Sequence, residues 1–226
     1  MVKKTLRPRG RPRNFDEGEA LDRATKVFWA KGFDGATIDD LVASMGVCRP
    51  SLYATFGDKE TLFMRCIEHY GETVGRLAIR ALLAAPDIQR AILGFLRQAV
   101  ESSTGGDAPP GCLLVCVVPA VDDAKVREFS ARAMTQAEEI IAERLQGAVA
   151  DGELLPDFPC AARSRQVFGM AMALALRARA GASRESLLTD AADGAALVLG
   201  DTLQAASSEA LPGCLRENSC HTELSR

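Results

Sequence analysis

The chain has 226 residues, 47% of them apolar and only 5% aromatic. That is enough for one compact helical body with a small appended unit, and its longest apolar run, near 167–176, is too short to span a bilayer. Lys and Arg number 27 against 30 acids, giving a net charge of −3, but the charge is unevenly placed along the chain.

Residues 1–13 hold Lys3, Lys4, Arg7, Arg9, Arg11 and Arg13 and no acid, which leaves the remainder at −9. Pro8, Gly10 and Pro12 prevent a helix, so residues 1–14 read as a flexible basic arm. The run from Arg7 to Arg13 resembles the AT-hook, a short motif that lies in narrow A·T-rich minor grooves. Such grooves concentrate negative potential and attract inserted arginines, here Arg9, Arg11 and Arg13. The alternative is a tail that adds only sequence-independent affinity. No apolar stretch follows the arm, so it does not read as a signal peptide, and the expected location is cytoplasmic.

The first helix is expected over 17–31, capped by Asp16 with Glu19 three residues on. Leu21, Ala24, Val27 and Phe28 form its inward face. Thr37 and Asp40 then make a capping box with Asp in place of Glu. Ile38, Leu41, Val42 and Met45 fall on one helical face, and Gly46 ends the helix. After a tight turn, Pro50 suits the first turn of a new helix, in which Leu52 and Phe56 face inward. Arg49, Ser51, Tyr53, Ala54 and Thr55 are left outside. An ordinary αα-hairpin would carry Glu and Lys there. This face carries groups that reach phosphates and base edges, in the geometry that lays one helix in a DNA major groove. Lys59 adds a cation at the start of the next helix, beside free backbone N–H groups.

Residues 10–65 resemble the N-terminal DNA-binding domain of TetR-family transcriptional regulators. The resemblance rests on Phe28, Gly32, Phe33, Thr37, Ile38, Gly46, Ser51, Leu52, Tyr53, Phe56, Lys59, Leu62 and Phe63. GCLLVC at 111–116 also looks like a segment of one subgroup of these regulators. The resemblance implies an all-α fold: an N-terminal three-helix helix-turn-helix head at 15–62, and a larger C-terminal helical ligand-binding and dimerisation bundle at 63–206. It implies that Thr37, Tyr53 and Lys59 grip phosphates, and that Arg49, Pro50, Ser51, Ala54 and Thr55 lie in or near the groove. Arg49 is the best placed for a base, because arginine to guanine is the commonest specific pairing; contact with phosphate is the alternative. The implied partners are a double-stranded DNA operator, a second copy of the chain and a small-molecule effector. The usual mode of the family is repression.

The fourth helix should start after Asp58, bury Leu62, Phe63, Cys66, Ile67 and Tyr70, and continue to about Ala85 with a weak point at Gly71 or Gly75. Further helices are expected at 86–103, 111–119, 122–150, 160–180 and 183–206, with a mobile tail at 207–226. The helix at 160–180 is apolar almost all round, which requires burial on every side. With the small-residue helix after it, this suggests half of a four-helix dimer interface; the alternative is that both fill the monomer core.

An apolar effector pocket, implied by the resemblance, would draw on Leu82, Phe95, Leu96, Cys112, Leu113, Phe168, Met172 and Leu176, which are equally good core residues. Among seven cysteines, Cys112 and Cys116 stand at i, i+4 and would share a helix face. Two thiolates there would bind a soft ion such as Cu(I) or react with an electrophile, with Cys160 a possible third; alternatively both are small buried apolar groups. No metal site or cofactor is otherwise expected. Enzymatic activity is not expected either. The only histidines are His69 and His221, and no glycine-rich phosphate loop, HExxH helix or nucleophile elbow occurs.

Overall fold

A computed structural model of the chain describes residues 16–200. Among these every regular element is helical. The basic arm with Arg9, Arg11 and Arg13, the end of the last expected helix and the tail at 207–226 lie outside the described residues.

Helix α1 (Glu17–Gly35) starts where Asp16 accepts the Glu19 N–H at 3.1 Å. It runs four residues further than periodicity suggests, because Gly32 at φ +74° breaks the regular turn without ending the coil. Helix α2 (Ile38–Met45) carries the expected capping box, and Gly46 closes it in the left-handed conformation at φ +69°. Helix α3 (Arg49–Phe56) follows after three residues, Gly46, Val47 and Cys48, with Pro50 in its first turn. Helix α4 (Lys59–Tyr70) is capped by Asp58 and passes through a wider π-turn, Gly71–Gly75, into α5 (Arg76–Ala84).

The body adds α6 (Ile88–Thr104), the single turn α7 (Leu113–Cys116), a 3₁₀ turn (Val118–Ala120), α8 (Ala124–Ala150), α9 (Cys160–Arg179) and α10 (Arg184–Leu199). The helix expected over 111–119 is thus split in two. Pro119 has no N–H to continue an α-helix, and its ring clashes with the carbonyl four residues back.

Two apolar clusters organise the molecule. The first joins α1–α4 to the α7 region: Phe28, Leu41, Leu52, Phe56, Leu62, Phe63 and Leu113 are all 1% exposed or less. Phe28 meets Phe63 edge to face, with ring centres 5.0 Å apart. Each such buried side chain stabilises the fold by about 1.5–3 kcal/mol relative to exposure. The second cluster packs α5, α6, α9 and α10 with the C-terminal half of α8 around Ile92, Leu96, Leu145, Val167 and Leu187. Helix α8 reaches both: Val126 sits in the first, Ile141, Leu145 and Ala148 in the second.

Helix α9 departs from the expectation of burial all round. Val167, Ala171, Leu174, Ala175 and Ala178 are buried, but Phe168, Met170 and Met172 are partly buried and Leu176 is half exposed. Within one chain its neighbours α6, α8 and α10 cover only part of its circumference.

Candidate nucleic-acid interface

Helices α2 and α3 present one face of the head. Burial of Leu52 and Phe56 fixes the rotation of α3, and this turns Arg49, Pro50, Tyr53 and Ala54 outward, with Ser51 and Thr55 half-buried at the margins. Cys48 precedes the helix as its N-cap, and its sulfur lies 3.2 Å from the Ser51 hydroxyl. Tyr53 is half exposed, although its ring is large and apolar. The structure therefore brings all the expected residues from Arg49 to Thr55 onto one short helix, with Thr37 at the start of α2 and Lys59 at the start of α4.

Thr37 is already engaged. Its hydroxyl accepts the Asp40 N–H at 3.1 Å and donates to Asp40 Oδ2 at 2.8 Å, while Asp40 also accepts the Thr37 N–H at 3.1 Å. Lys31 of α1 donates to Asp40 Oδ1 at 2.6 Å. Lys31 first and Thr37 second hold the Asp40 carboxyl down at about 2. Lys59 lies 4.6 Å above the centre of the Phe33 ring, and its ammonium is 3.5 Å from the Asp34 carbonyl. Asp58, the N-cap of α4, accepts the Thr61 N–H at 2.8 Å; hydrogen bonding from the Thr61 side chain first, and from this N–H second, keeps its carboxyl below the usual range.

Three contributors escape a reading of motifs alone. Asp39, beside the capping acid, accepts from both Nε and Nη2 of Arg49, at 3.1 and 2.5 Å. Lys31 neutralises the other acid of the same turn. Arg65 of α4 braces the C-terminus of α3: it donates to the Thr55 carbonyl at 3.2 Å, stacks 4.8 Å over Phe56 and pairs with Glu17 at 2.8 Å. The available signal for Asp39 was a second acid in the first turn of α2, which by itself reads only as dipole compensation. Each acid of that turn has a basic partner from another helix, so α2 does not present bare negative charge to an anionic ligand.

Residues 20–66 match the sequence model of bacterial regulatory proteins of the tetR family. A solved TetR-family regulator, CifR, crystallised as a cysteine mutant with double-stranded operator DNA, is 31% identical; the alignment covers 82% of this chain and 98% of that one, with a TM-score of 0.75. The chain belongs to the TetR family. A TetR-family regulator from Rhodococcus sp. RHA1 is 32% identical over 80% of this chain and 97% of its own, with a TM-score of 0.56. The transcriptional repressor ComR of Escherichia coli is 28% identical over 80% of this chain and 87% of its own length. This TetR-family protein is a DNA-binding transcriptional repressor and not an enzyme.

The body of this TetR-family chain divides the expected pocket residues. Leu82, Phe95 and Leu96 are buried in the second cluster, with Phe168 packed partly buried against it. Cys112 and Leu113, at the start of α7, belong to the first cluster instead. Met172 is partly buried and Leu176 half exposed. A cleft of about 330 Å³ lies elsewhere, between the end of α1 and the α7 region, lined by residues that include Trp29, Phe33, Cys116, Val121 and Arg179. Arg179 also ties the two units: it donates to the Trp29 carbonyl at 3.3 Å.

Cys112 and Cys116 both pack, partly buried, against the first cluster. Cys112 is the N-cap of α7, in extended conformation, and its carbonyl accepts the Cys116 N–H at 2.8 Å, so Cys112 stands at the start of the turn that carries Cys116 rather than inside a longer helix. Burial pushes the Cys112 thiol up, although a hydrogen bond with Tyr70 opposes this. Burial likewise drives the Tyr70 hydroxyl up, and the Cys66 thiol to about 12. Cys116 lies beside Gly111 and Arg179, at the C-terminal end of α9, whereas Cys160 begins that helix, about 28 Å away at 1.5 Å per residue. Cys160 therefore cannot join Cys112 and Cys116. Cys214, Cys220 and His221 lie outside the described residues.

Proposed function

We propose that the protein works as a homodimer that lays α3 of each protomer in the major groove of a pseudo-palindromic operator, and that a small-molecule effector held in the body releases it. The observation that carries this reading is the outward set Arg49, Pro50, Tyr53 and Ala54 on a helix whose inner residues Leu52 and Phe56 are locked in the head core. In this reading Thr37, Tyr53 and Lys59 contact phosphates, Arg49 reads a base, and Pro50, Ser51, Ala54 and Thr55 line the groove. The arm with Arg9, Arg11 and Arg13 adds minor-groove contacts. The functional units are the arm, the head to residue 62, the effector and dimerisation body from 63 to 206, and the tail.

Exposed Leu176 on α9 and Leu197 on α10 support self-association through these two helices. For the effector, the Phe, Leu and Met residues at 82, 95, 96, 168 and 172 favour an apolar molecule. Cys112 and Cys116 pack against the apolar first cluster, and among the described residues no group of three or more metal-binding side chains occurs, which favours an apolar effector over a metal held by this pair. The site of action is the cytoplasm, where the DNA is; among the described residues no helix is long and apolar enough to cross a membrane.

A gel shift of the full chain against the DNA flanking its own gene tests this reading. One intergenic fragment is expected to shift, with affinity falling steeply as salt rises. If no neighbouring intergenic fragment shifts, operator control of its own locus is wrong.

A further inference from the structure

Arg49 is not a free cation on the outer face of α3. Asp39 stands at the second position of α2 and Arg49 at the first of α3, so the helix–turn–helix brings their side chains together across ten residues of sequence. One oxygen, Asp39 Oδ1, takes Nε at 3.1 Å and Nη2 at 2.5 Å. The guanidinium is planar with five N–H donors in fixed directions. This contact occupies the Nε/Nη2 edge. The terminal edge, formed by Nη1 and the second N–H of Nη2, has two parallel donors left. Guanine offers two adjacent acceptors, O6 and N7, in the major groove, whereas adenine offers one acceptor and one donor. Guanine is therefore the base that satisfies both remaining donors.

Charge argues the same way. Both side chains of the pair are well exposed, at 56% and 74%, and exposed ion pairs contribute little to folding. Close to a phosphate, Asp39 would be repelled, and the paired Arg49 has little net charge to offer. The neighbouring acid, Asp40, is taken up by the helix cap and Lys31, so it does not compete for Arg49.

We propose that Asp39 is a positioning residue for sequence readout: it holds the Arg49 guanidinium with its terminal edge toward a guanine of the operator and keeps it off the phosphate backbone. This rests on the reading above that α3 enters the major groove.

The test uses full-length protein. A preferred site is selected from a randomised duplex library with the unaltered chain. Affinities for that duplex and for each single-base-pair variant are then measured across a salt series for Arg49→Ala, Asp39→Ala and Asp39→Asn. Circular dichroism and the thermal midpoint check that each variant is folded. Arg49→Ala should relax one G·C pair per half-site by about tenfold or more. Asp39→Ala should relax the same pair, leave the others unchanged, and steepen the slope of log K against log salt by about one per protomer as Arg49 moves to a phosphate. Asp39→Asn, which keeps an acceptor oxygen, should fall between the unaltered chain and Asp39→Ala.

If Arg49→Ala relaxes a G·C pair but Asp39→Ala leaves that pair and the salt slope untouched, or weakens every sequence alike, the positioning role is wrong and the groove reading stands. If Arg49→Ala relaxes no position, Arg49 is not the base reader and the proposal fails with it. Failure to select any sequence removes the groove reading itself.

Discussion

Thr37 and Asp40 show how one residue pair serves both fold and interface. The hydroxyl of Thr37 and the carboxylate of Asp40 satisfy each other's backbone N–H groups at the exposed start of α2. Replacing Thr37 with Ala should cost about 1 kcal/mol of stability in urea unfolding, the usual loss for a removed N-cap, while Thr37→Ser keeps most of it. A loss below about 0.3 kcal/mol would mean that the box is not formed in solution. The same site sets an acid limit. The folded Asp40 carboxyl lies at about 2, lower than its ordinary value of 3.8, because Lys31 and then Thr37 bind the ionised form. A depressed carboxylate stabilises the fold above its unfolded pKa and loses that contribution as pH falls through the folded one. The contribution of Asp40 should therefore fade between about pH 4 and pH 2. Asp40→Asn should flatten that part of the acid-unfolding curve followed by circular dichroism; an identical curve in the variant would show that Asp40 is not the group titrating.

At the level of elements, the join between head and body carries two glycines that its backbone does not require. Helix α4 runs into α5 through the π-turn Gly71–Gly75, and both glycines keep ordinary right-handed angles, φ −58° and −59°. A Cβ at Gly71 would meet Phe129 at 3.9 Å and one at Gly75 would meet the Tyr70 carbonyl at 3.8 Å, both ordinary contacts. Alanine therefore fits, and each of Gly71→Ala and Gly75→Ala should stabilise the protein by about 0.4–1 kcal/mol, chiefly by narrowing the unfolded ensemble. A fall in the thermal midpoint for either would show that the turn needs glycine for a conformation other than this one. The sequence already marked these two residues as the weak point of a long helix, though not the change of pitch between them, because period alone cannot distinguish an α-turn from a π-turn. The same division holds elsewhere. Caps at Asp16, Thr37 and Asp58 were legible because they use local side-chain chemistry. So was the inward Leu52–Phe56 pair that orients α3. The Asp39–Arg49 pair, the Arg65 brace and the separation of Leu113 from Leu96 were not, because each depends on where two distant helices meet.

On the scale of the whole molecule, α9 and α10 leave work unfinished within one chain. Leu176 is 50% exposed and Leu197 is 70% exposed, yet both helices are otherwise tightly fitted. A Cβ at Gly194 of α10 would come within 3.0 Å of the Met170 sulfur on α9, so the two helices approach closely there. Arg177 pairs with Asp190 across them, and Arg184 pairs with Glu101 to fix α10 on α6. A pair of helices held this firmly, with large apolar side chains still in water, is suited to bury them against a second copy, whose two-fold axis would also set the spacing of two heads. If the chain pairs through these helices as proposed, the unaltered protein should run as a dimer in light scattering after gel filtration, and Leu176→Glu combined with Leu197→Glu should run as a monomer. Because neither side chain belongs to the monomer core, the variant should keep its helical circular dichroism and bind an isolated half-site as before. Its affinity for a full operator should fall at least tenfold, since the second head then binds without the concentration advantage of being tethered to the first. A variant that remains dimeric would move the interface off these two helices, and one that unfolds would assign both leucines to intramolecular packing.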